Sequence, residues 1–508
     1  MLFNSILYLI FFIFVYFIYW SLSGKARKLF LVCASLLFYA MWGLNSEGWF
    51  GIRWTLHFIF INTLNYYMIR AMFRWPDRKK IILISLIIFD LINLGFFKYF
   101  YFFLDLLKIS GLTVPEMLST LNIFLPLAIS FYTFILVAYA VDVYRGIITE
   151  QVEPLRFGVF VLFFPHLIAG PIMRHSDFMH QINQPAMDKE KMYRGGWLII
   201  SGLIKKTLLA DPMGLIIAPV FREPQAYDGI SILLAGMGFS LQVYSDFSGY
   251  TDMARGSALL LGYEIPENFI APFFSKSSRE LWQRWHITLA TWLRDYIYIP
   301  LGGSRTSEGR IYFNLIVTFT LGGLWHGADY TYIAWGGMWG ILLAAERFYE
   351  KKINLRLLPE NRYGNTVRIA MMFLLFSIGA IMFRSQKVEY PQHSYSSGSI
   401  MVTMLKGIVT HTPSALADLY EDQGGDRESA EIVFGKSIFS QKKIGKYDTI
   451  FFMFLGLIFF HYVQFRPERF QRFRKYDPYL ITGVSMILGG YLVPIFATGS
   501  HQFIYFVF

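Results

Sequence analysis

The chain has 508 residues, of which 55% are hydrophobic, 19% aromatic and only 16% charged, with a net charge of +11 and a mean hydropathy of +0.42. A soluble chain of this length would divide into domains with nearly a quarter of their residues charged. An ordinary cytosolic enzyme, a disordered scaffold and a small disulfide-stapled domain are therefore excluded. The apolar excess faces lipid, and the surplus of Lys and Arg fits the basic bias of cytoplasmic loops rather than nucleic-acid binding.

Charge-poor runs long enough to cross a bilayer occur at 2–22, 29–46, 54–69, 81–97, 117–141, 229–245, 311–328, 330–345, 369–383, 449–465 and 479–498. Less regular apolar segments lie at 157–173 and 195–221. A continuous helix over 281–300 carries too much charge to cross lipid alone. The expectation is an all-α polytopic membrane protein with about ten to twelve spans and some partly inserted helices shielded by protein. The first run has no basic leader and no small-residue cleavage site, so it reads as a retained span. Cys33, the single cysteine, sits in an apolar run and leaves neither a disulfide framework nor a thiolate metal centre; no metal site is expected.

The loops orient these spans. Lys25, Arg27 and Lys28 follow the first, and Arg70, Arg74, Arg78, Lys79 and Lys80 follow the third, while the loops between are poorer in positive charge. The N-terminus is therefore expected outside. The same rule places 346–368 and 466–475 in the cytoplasm and the polar, acidic stretch 385–448 outside, as an extracytoplasmic insertion. Three segments result: N-terminal helices 1–150, a polar-rich core 151–350, and C-terminal helices 351–508 carrying the insertion.

Polar groups at membrane depth are costly unless paired, solvated or used. They concentrate between Phe163 and Asp329. In Phe164–Arg174, two prolines and a glycine break the helix and free backbone groups, which suits either a structural kink or a water-filled cavity. In Gln242–Arg255, Asp246 and Asp252 suit pairing with basic side chains as structural glue, with direct chemistry as the second reading. In Glu280–Tyr296, helical spacing puts Trp282, Trp285, Leu289 and Trp292 on one stripe and His286, Leu293 and Arg294 on another. Arg284 and Arg294 would keep His286 neutral. In Leu321–Asp329, His326 stands among Gly322, Gly323 and Gly327 where two apolar runs meet. A lone buried histidine is more often a satisfied core residue. The glycines, which permit close approach, and the polar clusters upstream favour a proton acceptor here.

Phe-Pro-x-Leu-Ile-Ala-Gly-Pro-Ile (164–172), Tyr-Ser-Asp-Phe-Ser-Gly-Tyr (244–250), Trp-x-Arg-Trp-His-Ile (282–287) and Leu-Trp-His-Gly (324–327) occur in that order. Together they resemble the membrane-bound O-acyltransferase superfamily, in its bacterial alginate and peptidoglycan O-acetyltransferase branch. The resemblance implies a ring of helices with two opposed funnels meeting near a catalytic histidine, here His326, with His286 as the second family histidine. It implies transfer of an acetyl group from a cytoplasmic thioester donor, acetyl-CoA, across the membrane for O-acetylation of an extracytoplasmic polysaccharide. His326 would deprotonate the acceptor or take the acyl group itself. Tyr244 and Asp246 would orient these groups. Oxyanion charge would be met by backbone N–H groups around Gly322, Gly323 and Gly327, by Arg294 or by His286. The donor's phosphates would favour basic loops with Arg305, Arg310 and Arg347. A separate extracytoplasmic transferase of the SGNH, serine-hydrolase-like type would be the partner, docking on 385–448 and the tail around His501–Phe508. A bacterial inner-membrane location follows. The alternatives are D-alanyl transfer from an acyl carrier protein and, from another class, a transporter or polysaccharide-export component without chemistry.

Overall fold

The computed structural model describes residues 3–119, 121, 123–168, 170–353, 358–385, 388–389, 394–395, 397–410 and 447–466. Apart from one two-residue ladder, Val388–Glu389 against Ser394–Tyr395, its regular structure is helical among the described residues. The expected run at 479–498, the C-terminal tail and most of the insertion lie outside the described residues.

Within the described residues each expected span except 117–141 coincides with a helix over most of its length. Among the described residues four stretches are long and apolar enough to cross a membrane: Gly24–Arg74, Pro76–Ile109, Gly229–Leu260 and Arg362–Arg384. Shorter apolar helices include Ile6–Ser21 and Ile129–Tyr144. The run expected at 117–141 becomes helical for good only at Ile129, because Pro126 precedes Ala128, which takes a left-handed conformation with φ 58°. The segment 195–221 is helical throughout but passes through a π turn at Lys205–Ala210. Local chemistry sets several starts. Ser5 accepts from the Tyr8 N–H, Asn361 from Gly364 and Asp329 from Thr331, each satisfying an N–H that the helix leaves open.

The chain forms two compact units. One comprises the described parts of Met1–Leu203 and Tyr250–Glu267, the other Ile204–Gly249 and the described part of Asn268–Arg474. The Gly229–Leu260 helix contributes its first part to the second unit and its last turns to the first.

In the first unit, Tyr39 stacks on Phe58 at 4.3 Å, and Asn65 donates to Asp90 between neighbouring helices. Tyr8 bonds Ser257 and Tyr250 donates to Asn4, so the N-terminal helix is tied to the returning segment 250–267. The Arg27 guanidinium lies 5.1 and 5.0 Å from the ring centres of Tyr19 and Trp20, an arrangement suited to the end of a span.

The second unit is organised by a helical hairpin, Glu308–His326 and Tyr330–Phe348. Its backbones approach at glycines. A Cβ on Gly323 would sit 2.2 Å from the Tyr332 carbonyl oxygen, and one on Gly336 would sit 2.3 Å from that of Phe319. Gly336 and Gly340 lie four residues apart on one face, the small-residue spacing that lets helices pack closely where lipid supplies no hydrophobic drive.

Candidate active site

His286 is placed by a break that the helical reading of 281–300 did not anticipate. Ser277 caps Ser278–Arg284 by accepting from the Glu280 N–H, and a second short helix runs Ile287–Leu293. Between them Trp285 is extended, and His286 is left-handed at φ 44°, ψ 52°. The break is caused by pairing with another segment. Ile270 N–H donates to the Arg284 carbonyl and Ile287 N–H to that of Asn268, making an antiparallel bridge of Phe269 with Trp285. Those bonds replace the intrahelical ladder. The expected tryptophan stripe is therefore divided. Trp285 packs on Phe269 and Phe376, and Trp282 on Phe319, Trp335 and Trp339.

The His286 ring is fully buried. Its Nδ1 lies 3.1 Å from Asn268 Oδ1, while Nε2 has no hydrogen-bond partner among the described residues. Phe247 meets the ring edge to face at 4.8 Å. The arginines expected to keep this histidine neutral are engaged elsewhere. Arg284 pairs with Glu280 at 2.7 Å, and the exposed Arg294 pairs with Asp295 at 2.6 Å. Asn268, and neither arginine, is the hydrogen-bond partner of this ring.

His326 is the last residue of its helix and is 5% exposed. Gly327 is extended, and Asp329 then caps the next helix, so the reversal takes three residues. The His326 ring is enclosed by Trp325 at 4.9 Å, Phe383 at 5.2 Å and Trp335 at 5.3 Å. Trp325 also contacts His286, with ring centres 6.2 Å apart. The two histidines, 40 residues apart in sequence, thus share one indole as neighbour.

The flanking glycines serve packing. Gly322 and Gly323 lie inside the helix, whose ladder takes up their N–H groups, so these are not the freed donors expected for an oxyanion. A Cβ at Gly322 would strike Leu293, and one at Gly327 the Tyr332 ring at 2.2 Å.

The Tyr244 and Asp246 side chains lie in the same unit but reach different partners. Tyr244 donates to Gln464 Oε1 at 3.0 Å, which also accepts the Ala271 N–H at 2.9 Å. Its ring faces His461 at 4.5 Å and Phe269 at 5.9 Å. Asp246 pairs with Lys206 at 2.9 Å, and the same ammonium lies 2.7 Å from Asp211; the Lys206 and Asp246 side chains are each 2% exposed. Asp246 is thus an ion-pair partner of Lys206. Asp252 falls in the other unit, where it accepts from Ser201. His166 of the proline-rich cluster also lies there, its Nε2 bonded to the Phe160 carbonyl. Of the basic residues considered for donor phosphates, Arg347 is engaged by Glu308 through two nitrogens, and Arg310 lies over Phe313. Among the described residues no group of three His, Cys, Asp or Glu side chains could hold a metal ion.

Asn268, Trp325, Lys206, Gln464 and His461 were not singled out from the sequence. Two left a signal there: Lys206 is a charge inside the apolar segment 195–221, and His461 is an imidazole inside the run 449–465. Asn268 left none, since its role depends on a contact 18 residues away.

A buried pair of histidines in a helical membrane chain fits transfer chemistry, and comparison with known proteins gives the class. Residues 147–385 match the membrane-bound O-acyltransferase family, MBOAT, and the chain belongs to that family. It is an O-acyltransferase and a multi-pass membrane protein. It is 37% identical over 410 residues to the probable alginate O-acetylase AlgI of Pseudomonas aeruginosa, covering 78% of this chain and 74% of that one. It is 34% identical over 386 residues to the peptidoglycan O-acetyltransferase of Helicobacter pylori, covering 69% and 71%. It is 30% identical over 276 residues to the teichoic acid D-alanyltransferase of Bacillus subtilis, covering 52% and 70%.

Proposed function

We propose that the protein moves an acetyl group from a cytoplasmic thioester, acetyl-CoA, across a bacterial inner membrane for O-acetylation of an extracytoplasmic polysaccharide. His326 and His286 carry the chemistry. The observation behind this reading is that two buried imidazoles, one in a break between helices and one at a helix end, meet the same indole, Trp325, in the second unit. Histidine is suited to the task because its unperturbed pKa lies near neutrality, so it can accept a hydroxyl proton and return it. Acetyl rather than D-alanyl transfer is supported by relatives named for O-acetylation, which cover 78% and 69% of the chain against 52% for the D-alanyl relative. The N-terminus lies outside, and an SGNH-type transferase receives the acetyl group there.

The test is transfer of labelled acetyl from acetyl-CoA in sealed membrane vesicles, beside D-alanyl supplied on a carrier protein. His326→Ala is expected to lower acetyl transfer about 10²–10⁴-fold while the protein still inserts. Wild-type rates in that variant would refute the catalytic role. Transfer of D-alanyl alone would replace the donor assignment.

A further inference from the structure

The contacts around Asn268 decide which ring nitrogen of His286 carries the proton. Asn268 Oδ1 lies 3.2 Å from the Thr288 backbone N–H and 2.9 Å from the Thr288 hydroxyl. A backbone N–H only donates, so the amide atom at this position is the oxygen. The same oxygen is 3.1 Å from His286 Nδ1 and is an acceptor only, so Nδ1 must bear the hydrogen. In the neutral ring, Nε2 then carries the lone pair. That nitrogen is buried and has no partner among the described residues. The Asn268 carbonyl also accepts the Ile287 N–H at 3.0 Å, so one residue holds three successive positions. These bonds account for a non-glycine residue in the left-handed region, which costs about 1–2 kcal/mol and persists only where surrounding structure over-determines it.

We propose that Asn268 is a positioning residue that locks His286 in the Nδ1–H form, so that Nε2 takes the proton of the attacking hydroxyl. This rests on the acyl-transfer reading above. As the hydroxyl oxygen bonds to the thioester carbonyl carbon, its proton passes to Nε2, and Nδ1–H continues to donate to Asn268. Collapse of the tetrahedral intermediate breaks the C–S bond, and the imidazolium returns the proton to the departing sulfur. The assignment also removes one of the two roles open to this residue. A neutral His286 with its hydrogen on Nδ1 has none to offer an oxyanion from Nε2.

The ring neighbours Phe247, Phe269 and Trp325 are uncharged, so a carboxylate introduced at position 268 would be the dominant new charge beside the imidazole. Asn268→Asp keeps an oxygen acceptor but favours the imidazolium. Its acetyl-transfer pH profile should move its acid limb upward by about 1 pH unit or more, because the base must be neutral to act. Exchange of the His286 C2 hydrogen, followed by mass spectrometry in the full-length protein, reports the same titration without turnover and should shift in the same direction. Asn268→Leu, which removes the acceptor, should slow transfer about 10²-fold or more. An unshifted exchange midpoint in Asn268→Asp would overturn the contact. A shifted midpoint with an unmoved acid limb would overturn the base role. Absence of acetyl transfer by the wild type would refute the underlying reading and the base role with it, while the exchange arm would still decide the link between Asn268 and His286.

Discussion

Two buried polar clusters in the second unit are built on opposite terms. Around Lys206, one ammonium stands within 2.9 Å of two carboxylates, so charge is answered by charge. Around His286, Asn268 satisfies one ring nitrogen and leaves the other without a partner among the described residues. Both clusters pay desolvation, but the first recovers it through Coulomb attraction in a medium of low dielectric. The second leaves one nitrogen's hydrogen-bonding capacity unused in the resting protein, which suits a group that acts on substrate. Asp246 and His286 look alike in the sequence, each a polar residue at membrane depth. Their partners differ: a cation for Asp246, an amide oxygen for one ring nitrogen of His286.

This contrast predicts where stability and activity part. Lys206→Met removes the cation paired with Asp211 and Asp246 and should destabilise the protein by about 3–5 kcal/mol, the typical cost of breaking a buried pair. Thermal unfolding in detergent measures this, and transfer per folded molecule should be retained. A variant that unfolds normally but loses its rate would erase the distinction between the clusters. Gly336→Ala tests the hairpin that positions His326. Its methyl would meet the Phe319 carbonyl and the Gly323 backbone, forcing the helices apart at a cost of about 1–3 kcal/mol. Activity should fall along with stability here, because His326 ends one of the two helices. An unchanged melting temperature would show that the close approach is dispensable.

The smallest effect is expected at Glu308, ahead of the apolar stretch 311–328. Hydrogen bonds from Arg347 and Lys351 hold this carboxyl at about 2, below its ordinary 4.5. A depressed carboxylate adds stability that is complete above the ordinary value and is lost as pH falls toward 2. Glu308→Gln should therefore melt slightly below wild type at pH 7, with the gap closing between about pH 5 and pH 2 and shrinking at high salt. A gap that persists at pH 2 would assign the effect to packing.

Much of the architecture was legible because lipid imposes a simple rule: a helix must be long and apolar enough to cross, and within the described residues every expected span but 117–141 is helical over most of its length. Less was legible at the site. Helical spacing in Glu280–Tyr296 is genuine, yet it failed at Trp285 and His286, where bonds to Asn268 and Ile270 outcompeted the next helical turn. The glycines beside His326 suggested close approach, and neighbouring backbone and side chains do come close to them. Arginines near His286 in sequence suggested electrostatic control, and both turn away to carboxylates.

Composition and motif order alone determined the membrane setting, the helical class, and the family resemblance that singles out His286 and His326. Those features are carried by residue type and by spacing along the chain. The tertiary structure decided that the two imidazoles share Trp325, that Asp246 belongs to an ion cluster, and that His286 keeps its hydrogen on Nδ1. Each depends on a partner distant in sequence: Asn268 for one histidine, Lys206 for the aspartate, and a glycine-packed hairpin for the other histidine. No local pattern encodes such partners, because a hydrogen bond or an ion pair is specified by which atoms meet, and only packing decides that.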